Sequence, residues 1–278
     1  MKLALACLLS SGCASILGLD NTKFAFMDAP TDAPGTCDGV AATCVTSSTG
    51  RTLCGQLTGT GATAGMPVRV AAPTGGACSG SEGPCGFTVG AFPLAGFFAG
   101  NATAIAGTID DCGRFAIPDL DAALADVAVL FTPGTPDFVA TARIATGRMA
   151  TPGIDTGVDA LAVTSATLMQ WNSALGADAS TAYLVKYTAN DAPLAGVRAE
   201  YNSGTQFGAP PTVPFAAYFA GAFDTVTAGA TTTAAGGAAL VTFTGNLSVE
   251  GLRTGHQRCK QGAAVKPNTI VYVVETNC

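Results

Sequence analysis

Apolar and polar positions alternate over short stretches through most of this chain, and a two-residue period predicts strands rather than helices. Residues 51–57 open the series, 67–71 follow, and 86–92 form a third segment. Residues 103–120 predict a hairpin: 104–109 run out, Asp110, Asp111, Cys112 and Gly113 turn, and 114–120 return. Gly113 supplies the positive φ that such a turn requires. Phe115 and Ile117 share one face, and Pro118 is expected to end the strand ahead of Leu120, because proline cannot donate to a ladder. Residues 127–131 are an unbroken apolar run, which predicts a buried strand. Residues 132–160, with Pro133, Pro136, Pro152 and several glycines, read as a connector.

The period changes once. Over 165–176, Leu168, Trp171 and Leu175 fall at helical spacing, Ser165 can cap the start and Gly176 can stop the end. Trp171 at that spacing is expected in the core rather than as a ligand platform. Strand patterning then resumes at 181–187, 190–201 and 234–243, and ends with 268–275.

Composition agrees with strands and turns. Charged residues are 12% of the chain, about half the usual share, and Gly, Ala and Thr fill the gap. No run after Cys13 reaches the roughly 18 apolar residues of a spanning helix. Net charge is -6, or 12 − 19 = -7 once Lys2 is removed with residues 1–12. There is no basic stripe with interleaved aromatics, which argues against a nucleic-acid partner.

The N-terminus alters the picture most. Lys2, a short apolar run and small residues precede Cys13, the layout of a secretory signal. Ser11-Gly12-Cys13 resembles the lipobox of bacterial lipoproteins, with Ser10 where that family usually has leucine and Leu9 one step further out. The resemblance implies removal of residues 1–12, lipidation of Cys13 and a membrane held through acyl chains such as palmitate. The opening Cys13-Ala14-Ser15-Ile16-Leu17-Gly18-Leu19-Asp20 resembles lipoproteins of myxobacteria-like organisms. Ala14 rather than Asp after the cysteine implies the outer membrane, at its periplasmic or surface face. Residues 21–36 repeat Asp-Ala-Pro and read as a solvated tether rather than a calcium site, so 13–49 form anchor and tether.

Ten cysteines are present. Cys7 lies in the signal and Cys13 would be lipidated, leaving Cys37, Cys44, Cys54, Cys78, Cys85, Cys112, Cys259 and Cys278. An even number in an exported chain reads as a disulfide framework. Cys78–Cys85 and Cys259–Cys278 are the expected local bridges, and Cys37, Cys44, Cys54 and Cys112 would pair among themselves in one of three ways. A metal site is the weaker reading, since no Cys-x-x-Cys pair occurs and His256 is the only histidine.

Pro67-Val68-Arg69-Val70 followed by Asp110-Asp111-Cys112-Gly113-Arg114-Phe115-Ala116-Ile117-Pro118 resembles the carboxypeptidase-regulatory-like, transthyretin-like β-sandwich. Ala192-Pro193-Leu194-Ala195-Gly196-Val197 resembles the first of these motifs again, as if the halves were divergent copies. The resemblance implies a mainly β chain of two tandem Ig-like or transthyretin-like sandwiches at 50–150 and 151–278, with one short helix. Its motif residues are a turn glycine and core aromatics, so it implies no catalytic residue and no cofactor.

The chain holds no His-Glu-x-x-His, no Gly-x-Ser-x-Gly and no Gly-x-x-x-x-Gly-Lys. Gly59-Thr60-Gly61 lacks the third glycine of a dinucleotide fingerprint. His256 reads as a loop residue without partners for catalysis. Asp110, Asp111, Asp119 and Asp121 are the one dense acidic cluster and read as turn formers. The expectation is a non-catalytic envelope lipoprotein that binds a protein or glycan partner or serves structure or adhesion, with calcium-stabilised adhesion as a weaker variant. The alternative is a secreted hydrolase, such as a glycosidase, working through the carboxylates around Asp110 and Asp119.

Overall fold

Leu53 and Leu57 point into an apolar core from β1 (Arg51–Gly59), while Cys54 faces the other way. The computed structural model describes residues 41–47, 50–68, 86–110, 112–147, 153–176, 178–202, 207–208, 216–242, 247–255, 259–263 and 265–276. The signal, Cys13, the tether, most of the expected strand at 67–71, Asp111 and His256 lie outside them, as do Cys37, Cys78, Cys85 and Cys278.

The first β assembly is a ring. After β1 come β2 (Phe87–Pro93), helix α1 (Leu94–Ala99), β3 (Ile105–Ala106), β4 (Thr108–Ile109), β5 (Arg114–Leu120), β6 (Val127–Pro133), β7 (Phe138–Ala145), β8 (Gly153–Asp155) and β9 (Ala160–Thr164). β1 pairs with β5, β5 with β4, β3 with β2, β2 with β6, β6 with β7, β7 with β9, and β9 with β1. β3 and β4 are two arms of one bent segment, so the ring closes through Gly107. A Cβ there would lie 2.6 Å from Ile117 and 2.8 Å from the Ala116 carbonyl, so glycine is what lets this segment approach β5 so closely. Phe115 and Phe131 meet edge to face at the centre, 4.9 Å between centroids.

The second assembly is layered. It holds α2 (Ser165–Leu175), β10 (Tyr183–Ala189), β11 (Ala192–Pro193), β12 (Val197–Asn202), β13 (Phe207–Gly208), β14 (Ala216–Phe219), β15 (Val226–Thr227), β16 (Ala238–Val241), β17 (Leu247–Arg253), β18 (Cys259–Ala263) and β19 (Thr269–Glu275). β15-β14-β16-β10-β19 continue into β7, and β13-β12-β17-β18 form a second sheet. One face of the larger sheet, with Tyr183, Val185, Val271 and Val273, packs with Val197 and Ala199 of the smaller sheet. The other face, with Leu184, Leu240 and Ile270, packs against Leu168, Trp171 and Leu175 of α2. Burial on both faces explains the near-continuous apolar runs of β10, β16 and β19.

The chain is mainly β with short helices and disulfide bracing, as its alternation predicts. The two β assemblies are not separable at 150/151, however. β7 pairs antiparallel with β6 and parallel with β19, so one fifteen-stranded ladder crosses that position among the described residues. Cys37–Cys278 forms one compact unit.

Three local expectations are corrected. Residues 132–160 are more than a connector, since they contain β7 and β8. Pro118 does not end its strand. The pairing of β1 with β5 shifts register between Leu53↔Ile117 and Arg51↔Leu120, and Asp119 takes φ 56°. Proline is tolerated because it sits at a bulge, where a ladder donor is not needed. Finally, Thr164 rather than Ser165 caps α2, its Oγ1 accepting the Thr167 N–H at 3.0 Å. Ser165 instead donates to the Pro136 carbonyl at 2.6 Å.

Candidate functional site

β7, β19 and β10 run parallel side by side, so their carboxyl ends open on the same edge of the sheet. A cleft of about 730 Å³ lies there, within the range of ligand pockets. The amino end of β9 and the loop at Ala222 and Phe223 complete its wall.

Strand alternation decides which side chains reach it. Tyr183, Val185 and Tyr187 of β10 face the smaller sheet, which leaves Leu184, Lys186 and Thr188 on the opposite face. By the same rule β19 offers Tyr272 and Val274, and β7 offers Arg143 in register with Tyr272. Arg143 is buried, with its guanidinium 4.9 Å from the Tyr272 ring centroid and an N–H given to the Ile144 carbonyl. Lys186 is half-buried and makes no hydrogen bond or ion pair among the described residues. Asp159 and Asp191 stand exposed at the rim, and Asp159 Oδ1 accepts the Gln56 N–H at 3.0 Å.

A row of edge-to-face rings supports the floor. Trp171 meets Phe219 at 5.2 Å, Phe219 meets Phe223 at 5.4 Å, and Phe223 meets Tyr272 at 5.4 Å. Phe223 holds φ 64°, an uncommon conformation for a bulky residue, and its carbonyl accepts the Gly61 N–H. Burial raises the Tyr272 phenol above its ordinary range; nearby Arg143 works against this and Asp159 adds to it. Behind the floor, on the opposite sheet face, burial pushes the Glu275 carboxyl up to about 8. Tyr183 and Tyr187 are raised as well, first by burial and then by Glu275.

The sequence-predicted acids lie elsewhere. Asp110 Oδ1 accepts the Cys112 and Arg114 N–H groups at 3.0 Å each, and Oδ2 pairs with Arg114 Nε at 2.8 Å, so this carboxylate is committed to its turn. Asp119 accepts from Ser47 Oγ at 3.2 Å, and Asp121 from the Ala123 N–H at 2.9 Å. Of the cysteines, Cys44 and Cys54 are bridged, with Cα atoms 5.9 Å apart, which pins residues 41–47 over the outer face of β1. Cys112 and Cys259 are disulfide-bonded too. Trp171 is core, as its spacing predicts. Arg143, Lys186 and Tyr272 were not singled out by motif. Their signal is weak but present: a cation at an alternating position inside an otherwise apolar strand.

No protein-family profile matches the chain, and no curated protein does. Among solved structures, the chain is similar to the shaft pilin SpaA of Lactobacillus rhamnosus GG, at 15% identity and a TM-score of 0.23, over 82% of this chain and 97% of that one. It is also similar to GBS52, the minor pilin of Streptococcus agalactiae, at 13% identity and a TM-score of 0.23, over 82% of this chain and 95% of that one. These TM-scores are too low for the role of either pilin to pass to this chain.

Proposed function

We propose that this chain is a lipid-anchored, non-catalytic protein of the cell envelope, a β-rich binding module displayed from the outer membrane through Cys13 and an Asp/Pro tether. The observation that carries the reading is oxidation: Cys44, Cys54, Cys112 and Cys259, all the described cysteines, are in disulfides. Stable disulfides belong to exported proteins, and the lipobox-like Ser11-Gly12-Cys13 supplies the route. The commitment of Asp110 to its own turn removes the support for a carboxylate hydrolase at that hairpin. The cleft at the strand ends offers fixed charge and hydroxyl groups suited to recognition.

The test is the intact mass of detergent-extracted protein before and after reduction and alkylation. The reading expects loss of residues 1–12, added acyl mass at Cys13, and eight alkylatable thiols that appear only on reduction. A full-length, unacylated chain with free thiols overturns it.

A further inference from the structure

The face that carries Lys186 raises a question that the fold does not answer. The residues flanking it on β10 are buried, Leu184 at 0%, Val185 at 1% and Tyr187 at 0% exposure. A lysine among them lays its stem against apolar neighbours and carries its ammonium outward. Lys186 itself is half-buried and finds no hydrogen-bonding or ionic partner among the described residues. Its stem leads instead into the 730 Å³ cleft.

We propose that this cleft binds an acidic saccharide, with the ammonium of Lys186 taking the carboxylate of a sugar acid. This rests on the reading of the chain as an envelope binding module. Four features select the ligand class. The first is charge. Lys186 offers the ligand one ammonium that has no hydrogen-bonding or ionic partner among the described residues, so a single carboxylate can pair with it. The second is the rim: Asp159 and Asp191 repel a ligand that carries several charges on one unit, such as a polyphosphate, which leaves a ligand with one carboxylate per sugar. The third is the wall chemistry. Thr146, Thr156 and Thr276 line the cleft with exposed hydroxyl groups that donate and accept, matching a polyhydroxylated ligand, while Thr58 and Thr188 donate to the Ala160 and Glu275 carbonyls. The fourth is rigidity. Phe223, held at φ 64° between Phe219 and Tyr272, marks a floor whose shape is maintained against backbone preference, as binding sites often are.

The test uses the full chain in detergent and isothermal titration with three probes: trigalacturonate, its methyl ester, and monomeric galacturonate. The proposal expects the acid trimer to bind and weaken with salt, the ester to lose most of the affinity, and Lys186→Gln to weaken the trimer about tenfold or more. Thr146→Trp, a change at an exposed wall residue, should block the cleft without disturbing the core. Binding of the monomer as well assigns recognition to a single sugar acid, and binding of the trimer alone assigns it to a chain; either supports the proposal. Absence of binding at millimolar acid trimer overturns it. So does binding that the ester shares, or that survives both Lys186→Gln and Thr146→Trp in variants whose melting temperature is retained. These outcomes are independent of the acylation and thiol masses, so a lipoprotein can fail this test, and a sugar binder can fail that one.

Discussion

Single residues carry unequal weight in this fold, and Trp171 and Glu275 show the range. Trp171 is buried against Phe219, and its Nε1 has no hydrogen-bond partner among the described residues. Trp171→Ala is expected to cost about 3–5 kcal/mol in urea unfolding, whereas Trp171→Phe should cost much less, because it keeps a ring and removes a buried unsatisfied donor. Equal losses for the two would mean that the indole is not packed as described. Glu275 gives a pH signature. Its carboxyl is raised by burial from 4.5 to about 8, so between those values the folded chain holds a proton that the unfolded chain has released. Its contribution is therefore full below the unfolded value and is lost as pH rises through about 8. The melting temperature should fall from pH 5 to pH 9, and Glu275→Gln should flatten that slope. A wild-type curve that rises over the window would refute the assignment.

At the level of elements, caps and bulges are decided by a few atoms. Thr164 accepts the Thr167 N–H and Ser165 does not, so Thr164→Ala should cost α2 about 1 kcal/mol in chemical denaturation. Ser165→Ala should leave the cap intact and remove only the contact with the Pro136 carbonyl. A larger loss at Ser165 would return the cap to that residue. In β5 a proline stands inside the strand without stopping it. A bulge at Asp119 moves Pro118 out of the pairing, and no one-residue rule sees the partner strand that makes the bulge acceptable. β7 is hidden in the sequence for a related reason. Its Ala, Thr and Arg residues look like connector composition, and their burial comes from neighbours on both sides.

For the whole molecule, the shared β7 has a consequence for unfolding. A ladder continuous through β6, β7 and β19 couples the ring to the layered half, so calorimetry should record one cooperative transition. Two well-separated transitions would show that the halves unfold independently. Cys44–Cys54 leaves Cys37 with Cys112 if the four amino-proximal cysteines pair among themselves, and Cys259–Cys278 is the expected bridge at the carboxyl end. Non-reducing peptide mapping should find a Cys44–Cys54 linked pair together with these two, and a Cys44–Cys37 or Cys44–Cys112 peptide would contradict it.

Local pattern was enough for the mainly β class, for the strand at 268–275, for the helix stopped at Gly176 and for Trp171 as its buried anchor. These depend on alternation, helical spacing and the freedom of glycine, which are properties of adjacent residues. Tertiary structure alone decided the pairing of β7 with β6 and β19, the selection of Cys54 as partner for Cys44, the bulge at Asp119, and the meeting of Lys186, Arg143 and Tyr272 at one sheet edge. Each joins residues far apart in the chain, and side-chain alternation says which face a residue takes but not which strand lies next to it.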